Sequence, residues 1–360
     1  MPFSMSAVQQ KRQKTGDIAA LLLAHYDTHA RDLPWRKLPG EGLPDPYHVW
    51  LSEIMLQQTT IAAVGPYFRR FTERWPDFAA LADAEEADVM AAWAGLGYYA
   101  RARNLVKCAR LVAANYDGKL PDNEAALLGL PGIGAYTAAA IAAIAFGQRA
   151  VVVDANVERV VARLFAIHKP LPAGKTEIRV ATDSITPNFG AGDFAQAMMD
   201  LGSGICSVRQ PLCTICPLLE HCMAGQAGTA EAYPVKPVKK AKPHRAGTAY
   251  WIEREGNVWL VKRHVKGMLG GMRALPDDGW NARSDGSGEP PFAANWKILS
   301  EPVAHVFTHF SLSLMVAVTV SGPDTSTLGD GEWWPVKSLD KAGLPTLFSK
   351  AAKAVIASGQ

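Results

Sequence analysis

Four cysteines near the middle of the chain have a spacing that suits a metal centre. They are Cys206, Cys213, Cys216 and Cys222, in the pattern C-x6-C-x2-C-x5-C. Thiolates are the ligands of iron–sulfur clusters and of structural zinc. Structural zinc sites usually combine two close-spaced pairs of cysteines, and here Cys213–Cys216 stands without a second pair. The spacing therefore favours an iron–sulfur cluster and leaves zinc as the alternative. A pair of disulfides would fit an exported protein, which nothing else in the sequence indicates.

Two carboxyl groups could carry acid–base chemistry. Glu53 lies in VWLSEIMLQQTT, a helical pattern that is apolar nearly all round. We therefore expect a buried carboxyl with a raised pKa, as a general acid requires; a half-exposed glutamate paired with a basic residue is the alternative. Asp154 precedes the helical segment ANVERVVARLF and should cap it, accepting backbone N–H bonds that lower its pKa. One carboxyl with a raised pKa and one with a lowered pKa would suit cleavage of a glycosidic bond.

The segment LPGIGAYTAAAIAAIAFG places two glycines directly before a long helical pattern. Gly132 and Gly134 bracket Ile133, whose side chain can fill the core while the glycines let the backbone approach a ligand closely. Backbone N–H groups at the start of a helix bind phosphate. The pattern therefore favours a helix-hairpin-helix clamp on a DNA backbone over an ordinary turn between two helices.

Basic residues cluster at two places. YYARARNLVKCAR contains Arg101, Arg103, Lys107 and Arg110 beside tyrosines, and KPVKKAKPHR follows the cysteines. Positive charge beside flat rings suits a nucleic-acid groove, and a solvated helix face explains the first cluster equally well. The net charge of +3 favours no class of partner.

Composition and pattern divide the chain into two domains. Its 360 residues are 48% hydrophobic, which is ample for two cores. Apolar stretches are too short to span a membrane and the N-terminus is polar, so we expect a cytoplasmic protein without a membrane partner. We predict a loose tail over residues 1–16, a helical domain over 17–225, a basic linker over 226–246, and an α/β domain over 247–360 that opens with a hairpin at EGN and closes with a helix.

The chain resembles the adenine DNA glycosylases of the MutY type, which belong to the helix-hairpin-helix glycosylase superfamily. The resemblance runs through the helical domain on LSEIMLQQT, GLGYYARARNL, LPGIGAYTA, VVDANVERV and MMDLGSGIC with the cysteines that follow. It continues more loosely on GMLGGMRALP, HVFTHF and GLPTLFSKA, which are similar to a Nudix-like domain that recognises 8-oxoguanine. It implies an all-α glycosylase domain with an iron–sulfur loop over residues 206–222, followed by a Nudix-like α/β domain.

The resemblance also implies roles for particular residues. Glu53 would protonate N7 of a flipped adenine, and Asp154 would stabilise the sugar cation. Tyr136 and Asn156 would line the catalytic pocket. The four cysteines, Cys206, Cys213, Cys216 and Cys222, would hold a [4Fe–4S] cluster.

Further residues match positions that contact DNA in the family. Gln58 is similar to a residue inserted into the duplex at the lesion, and Tyr98 to one that wedges beside the oxidised guanine. Gly132 and Gly134 would grip the backbone. The residues of the loop that would read 8-oxoguanine are Phe307, Thr308 and His309.

The chain departs from the family pattern at several positions, none of which removes a catalytic group. They are Thr308 for a usual serine, Arg273 and Leu275 for common aromatics, Ala155 for a usual glycine, and an insertion over residues 37–46.

Three other functions are weaker. Lyases of the endonuclease III type carry a lysine nucleophile where this chain has Tyr136, and a phenol cannot form a Schiff base. A non-catalytic lesion-binding protein would need neither Glu53 nor Asp154. A working Nudix hydrolase needs a metal-binding helix of the R-E-x-x-E-E type, which residues 276–300 lack.

The resemblance therefore implies a monofunctional enzyme of base excision repair that excises adenine paired with 8-oxoguanine or guanine. Its partner would be duplex DNA in the nucleoid. We expect a monomer, with the basic linker as a place where another repair protein could bind.

Overall fold

The chain folds into two compact units, Met1–Val238 and Lys239–Gln360, in the computed structural model. The structure describes residues 7–237, 241–264, 268–307, 309–319 and 328–359, with side chains from residue 17 onward. Thr308, predicted to read the lesion, lies outside these ranges.

The described part of the first unit is helical. Its helices are α1 (Ala7–His29), α2 (Pro46–Met55), α3 (Ile61–Arg74), α4 (Phe78–Ala82), α5 (Glu86–Ala92), α6 (Ala100–Asn115), α7 (Glu124–Leu128), α8 (Ala135–Phe146), α9 (Ala155–Leu164), α10 (Lys175–Ile185), α11 (Ala191–Gly204) and α12 (Met223–Gln226). Because α1 begins at Ala7, residues 7–16 are helical, although the sequence predicts a loose tail there. Among the described helices, none has both the length and the apolarity needed to cross a membrane.

Local sequence explains where the central helices begin. Asp45 accepts hydrogen bonds from the N–H groups of Tyr47 and His48, and Pro46 occupies the first turn, so α2 starts at a strong cap. Thr60, Asp77 and Asn123 cap α3, α4 and α7 in the same way. The alanine-rich α8 is buried from Thr137 to Ala145 and packs against α2, α7 and α11.

Two hydrophobic cores build the helical unit. The first is formed by the helices α2 through α8 and contains Trp50, Phe68, Phe71 and Trp93. The second joins α1 to α9, α10 and α11 and reaches the segment that carries the cysteines. The second core also contains Tyr233, and Ala230 is buried, so the predicted linker 226–246 is packed at its beginning; at its end it enters the first strand.

The second unit contains a mixed sheet. The described strands are β1 (His244–Arg254), β2 (Asn257–Lys262), β3 (Arg273–Ala274), β4 (Lys297–Ile298), β5 (Val303–Val306), β6 (Ser311–Thr319) and β7 (Glu332–Pro335). They are ordered β3-β2-β1-β6-β4, with β5 also paired to β6 and β7 to β2. β1 and β6 run parallel, with Thr248 opposite Met315, and the other pairs are antiparallel.

Two predicted features of this unit are confirmed. The hairpin between β1 and β2 turns at Glu255 and Gly256, both with positive φ (52° and 71°), as a tight two-residue turn requires. The closing helix is α13 (Thr346–Ala357), which packs on β1, β5 and β6. Residues 276–300, all described, contain no helix, so the metal-binding helix of a Nudix hydrolase is missing.

Candidate active site

A pocket of about 560 Å³ lies in the helical unit. Its lining includes residues that pack against both hydrophobic cores of that unit. Glu53 comes from α2 and Tyr136 from the first turn of α8. Asp154 and Asn156 come from the start of α9. The four residues assigned to catalysis from the sequence therefore share one cavity, and the exposed Gln58 lies at its wall as well.

Glu53 is held in an apolar environment. Its side chain is 7% exposed, and the neighbouring Trp50, Leu51 and Ile54 are buried. Loss of solvation raises the pKa of Glu53 to about 7, a hydrogen bond from Tyr136 lowers it in part, and the nearby Asp154 raises it further. The predicted direction is confirmed, and Glu53 can carry a proton near neutral pH.

Asp154 caps α9 as predicted. One carboxylate oxygen accepts a hydrogen bond from Val157 N at 2.7 Å, and the other accepts one from Asn156 Nδ2 at 2.9 Å. The predicted fall in its pKa is wrong: burial raises the pKa of Asp154 above its ordinary value, and these bonds offset that rise only in part. Glu53 and Asp154 thus both carry raised pKa values, and they differ in the number of donors: Tyr136 alone stabilises ionised Glu53, whereas Val157 and Asn156 both stabilise ionised Asp154.

Arg159, which sequence reasoning missed, holds the Asp154 side of the pocket. Its Nη2 donates to Asn156 Oδ1 at 2.9 Å, and its Nε donates to the carbonyl of Cys206 at 2.8 Å. The guanidinium therefore links the amide that contacts Asp154 to the first cysteine. The only sequence signal was the spacing of three residues from Asn156 along a predicted helix.

A second missed group lies at the opposite wall. Arg36 Nη1 donates to Asp200 Oδ2 at 2.7 Å, and Arg31 Nε donates to Asp200 Oδ1 at 2.8 Å. Burial alone would raise the pKa of Asp200, but the hydrogen bonds from Arg36 and Arg31 outweigh it and hold the pKa below its ordinary value. The ionised Asp200 thus fixes two arginines that line the pocket.

The glycine turn before α8 combines a buried side chain with a left-handed glycine. Ile133 is buried, as predicted. Gly132 has φ 79°, and a Cβ there would lie 2.9 Å from Asn104 Cβ, so a larger residue would meet both backbone strain and a close contact. Gly134 precedes α8 without a side-chain cap, so the first N–H groups of the helix are not covered by a capping side chain.

The other predicted DNA-contacting residues of this unit have unusual backbones. Gln58 (φ 58°) and Tyr98 (φ 50°) both adopt the left-handed conformation, which is uncommon outside glycine. Both are exposed, and Tyr98 exposes 61% of its surface. Arg101 of the basic cluster is instead buried, so neither alternative, a nucleic-acid groove or a solvated helix face, holds for this residue.

The four cysteines, Cys206, Cys213, Cys216 and Cys222, line one small cavity and are all free thiols, which excludes the disulfide alternative. Arg163 Nη1 donates to Cys206 Sγ at 3.2 Å, and the N–H of Gly225 to Cys222 Sγ at 3.3 Å. Such donors stabilise thiolate sulfur. Within the described ranges, no three metal-binding side chains converge closely enough for a single ion. Four thiols around one cavity are a donor set that an iron–sulfur cluster could use.

In the second unit, Phe307 and His309 flank the undescribed Thr308 between β5 and β6. The Phe307 ring stacks on Phe310, with centroids 4.7 Å apart, and His309 is exposed. Lys242 Nζ donates to the Phe307 carbonyl at 2.9 Å. The aromatic side chain of the loop thus faces the core of the unit and the imidazole faces solvent.

Arg273 and Leu275, which depart from the family pattern, are both well packed in the second unit. Leu275 is fully buried in the core of the second unit. Arg273 lies over the Trp334 ring, 4.5 Å from its centroid, and pairs with Glu332 at 2.7 Å. The arginine thus packs on an aromatic ring and is paired with a carboxylate.

Comparison with known proteins identifies the family. The model of the helix-hairpin-helix superfamily of base excision DNA repair proteins matches residues 51–182, and the NUDIX domain model matches residues 247–354. The adenine DNA glycosylase of Buchnera aphidicola subsp. Acyrthosiphon pisum is 40% identical over 67% of this chain and 69% of its own length. The chain belongs to the adenine DNA glycosylase family. The human family member is 30% identical over 91% of this chain and 72% of its own length.

Solved structures agree with the fold. A thermostable thymine-DNA glycosylase superposes with a TM-score of 0.54 at 30% identity, covering 62% of this chain and 100% of that chain. A non-covalent endonuclease III–DNA complex superposes with a TM-score of 0.51 at 23% identity, covering 60% of this chain and 97% of that chain, which shows the shared fold alone.

Family membership distinguishes between the functions that the sequence analysis considered. The chain is a DNA N-glycosylase of base excision repair, with a helix-hairpin-helix domain followed by a NUDIX-type domain. A non-catalytic lesion-binding protein is thereby excluded.

Proposed function

We propose that this enzyme excises adenine paired with 8-oxoguanine or guanine in duplex DNA and leaves the strand intact. The observation that carries the proposal is the pair Glu53 and Asp154 in one cavity: a buried acid whose pKa is about 7 beside a carboxylate with two hydrogen-bond donors. Adenine is the base that the family names specify.

The chemistry follows from this pair. Glu53 donates its proton to N7 of the flipped adenine, which makes the base a better leaving group. The C1′–N9 bond then breaks, its electron pair leaves with the adenine, and positive charge develops on the sugar. The Asp154 carboxylate stabilises that charge, and water adds to C1′ and passes its proton to the Glu53 carboxylate, which restores the acid. Tyr136 donates to the Glu53 carboxylate, and Asn156 orients Asp154.

The phenol of Tyr136 supports base excision without strand cleavage. A lyase needs an amine that forms a Schiff base with the sugar. Tyr136 occupies the position of the lyase nucleophile, and burial raises its pKa well above its ordinary value, so the phenol stays protonated. The proposed product is therefore an abasic site in an intact strand.

DNA would be gripped and opened by the same unit. The N–H groups at the start of α8, after Gly132 and Gly134, would bind a backbone phosphate. Gln58 and Tyr98 are exposed on strained backbones and would enter the duplex in place of the extruded base. Extrusion costs a few kcal/mol, which these contacts must offset.

The second unit would supply selectivity for the lesion. Adenine itself is undamaged, so its partner base must be read to avoid normal pairs. We propose that Phe307, Thr308 and His309 contact 8-oxoguanine, and that the protein acts as a monomer on DNA of the nucleoid. The basic segment before β1 remains a place where another repair protein could bind.

We further propose a [4Fe–4S] cluster on Cys206, Cys213, Cys216 and Cys222. Bound to those thiolates, the cluster would hold the loop that follows α11 in a fixed shape. Arg163 and Arg159 both contact Cys206 and would carry that order to α9 and hence to Asp154.

An excision assay tests the proposed reaction. Duplexes that pair adenine with 8-oxoguanine, guanine or cytosine are incubated with the native enzyme, and alkali is added to one half of each sample. Base loss opposite 8-oxoguanine and guanine, with strand breaks only after alkali, is expected. The variant Glu53→Gln should bind the mispaired duplex normally and release no adenine; substantial turnover by it would refute the acid role.

A further inference from the structure

Arg101 is a buried cation at the meeting point of two separate segments. Its side chain begins in the first turn of α6 and is 9% exposed. Nη1 donates to the carbonyls of Ile54 at 3.0 Å and Met55 at 2.9 Å. Nη2 donates to the carbonyls of Leu96 at 3.0 Å and Gly97 at 3.2 Å. One guanidinium thus joins the end of α2 to the loop before α6.

Each of these segments leads into an exposed residue with a left-handed backbone, Gln58 in one case and Tyr98 in the other. Met55 ends α2, and Gln58 follows with φ 58°. Gly97 is followed directly by Tyr98 with φ 50°. The Arg101 guanidinium also lies 5.6 Å from the centroid of the Tyr98 ring. The same side chain therefore contacts the backbone that precedes both residues and the ring of one of them.

Backbone strain of this kind persists only where the surrounding structure holds it. A planar guanidinium presents donors in a fixed fork and can bind two pairs of carbonyls at once. A lysine ammonium is a single charged point on a flexible stem and cannot reproduce that bridge. Geometry, rather than charge, is what Arg101 supplies at this junction.

We propose that Arg101 is a positioning residue that couples Gln58 to Tyr98, so that both side chains enter the duplex at one fixed separation. The inference rests on the proposed function, in which these residues open the base pair. Arg101 itself touches neither DNA nor the reacting atoms.

The conservative variant Arg101→Lys separates this role from plain stabilisation. Arg149→Lys is the matched control, because Arg149 Nη2 also donates to two backbone carbonyls, those of Asp183 at 2.9 Å and Thr186 at 3.3 Å, in a segment that contains neither Gln58 nor Tyr98. Thermal unfolding measures stability. Base extrusion is followed by the fluorescence of 2-aminopurine placed beside an adenine opposite 8-oxoguanine, and excision by single-turnover kinetics.

The lysine variant at Arg101 should lose about 100-fold in the rates of extrusion and excision, as a displacement of about 1 Å in a remote support can cause. The control should stay close to the native rates, and thermal unfolding shows how much stability each variant loses. Rates for Arg101→Lys near the native values, or an equal loss in the control, would overturn the proposal.

Double-mutant cycles test the coupling itself. The loss caused by Arg101→Lys should shrink strongly in a Tyr98→Ala or Gln58→Ala background, since residues in one network are not additive. A full additional loss would mean that Arg101 acts elsewhere, and the proposal would fail. If neither alanine variant alone slows extrusion, the insertion roles fail and the coupling with them, while excision by Glu53 would stand.

A second measurement covers the case in which Arg101→Lys does not fold. Tyr98→Ala loosens only the exposed end of the bridge. Coupling through Arg101 predicts faster amide hydrogen exchange in residues 56–59 of that variant, on the other side of the bridge. Unchanged exchange there would overturn the proposal.

Discussion

Replacing Glu53 by glutamine should make the protein more stable at alkaline pH while abolishing its activity. Burial raises the pKa of Glu53 from 4.5 to about 7. The folded state therefore binds a proton more tightly than the unfolded chain does, so the stability due to protonated Glu53 is complete below pH 4.5 and is lost as the pH rises through about 7. At pH 8 the native protein holds an ionised, buried carboxylate that glutamine lacks.

The size of the effect follows from the pKa. The difference between 4.5 and about 7 corresponds to about 3 kcal/mol of unfolding free energy at pH 8. For a helical unit of this size, each kcal/mol shifts Tm by roughly 2–4 °C. The Tm of Glu53→Gln minus that of the native protein should therefore increase by several degrees between pH 5 and pH 8.

Thermal unfolding of both proteins at pH 5, 6, 7 and 8 measures this difference. Glu73→Gln on α3 is the control, because it makes the same chemical change at an exposed position. A difference between Glu53→Gln and the native protein that does not change with pH would refute the reasoning, since it would mean that Glu53 titrates as it does in water.

Three further outcomes are expected. Tyr136→Phe removes a hydrogen bond that favours ionised Glu53, so the pKa of Glu53 should rise. The alkaline limb of the pH profile of the single-turnover rate should then shift to higher pH. An unchanged limb, or one shifted to lower pH, would contradict this. Asp154→Asn should keep the helix cap and mispair binding but lose excision by at least about 100-fold, because an amide cannot stabilise a cation as a carboxylate does; retained excision would refute the role. Deleting Lys239–Gln360 should leave excision opposite guanine and weaken the preference for 8-oxoguanine, measured as the ratio of the two rates; an unchanged ratio would place lesion reading in the first unit.

The catalytic carboxyls show what local sequence can and cannot predict. An all-round apolar helix was enough to place Glu53 in the core and to give the direction of its pKa shift. The cap at Asp154 was equally local and is confirmed. Its pKa was mispredicted because the desolvation that outweighs the cap comes from tertiary packing, which the neighbouring residues do not reveal.

The arginines were the least predictable part of the site. Arg36 reaches Asp200 across 164 residues of sequence, and Arg159 reaches Cys206 across 47. Arg101 lies in a basic run that resembles a phosphate-binding face, yet its donors bind backbone carbonyls. Periodicity indicates which face of a helix is apolar, but it does not show where a long cationic side chain ends.

The ends of the helical unit were also mispredicted for an identifiable reason. Residues 7–16 are polar and continue a helix that the apolar pattern indicates only further along. Tyr233 lies in a stretch rich in proline and lysine, and one buried aromatic is enough to dock its flanks. The composition of a segment does not reveal that one of its side chains is buried.

The alanine run of α8 has a consequence for engineering this enzyme. The helix begins at the glycine turn and runs past the catalytic cavity, and its small side chains let α2 and α11 approach closely. A bulkier residue at Ala139 or Ala143 would push those helices apart and with them the walls that carry Glu53 and Gln196. Directed-evolution libraries that aim at new base preferences should therefore leave this helix unchanged and diversify Leu33, which lines the cavity from a loop.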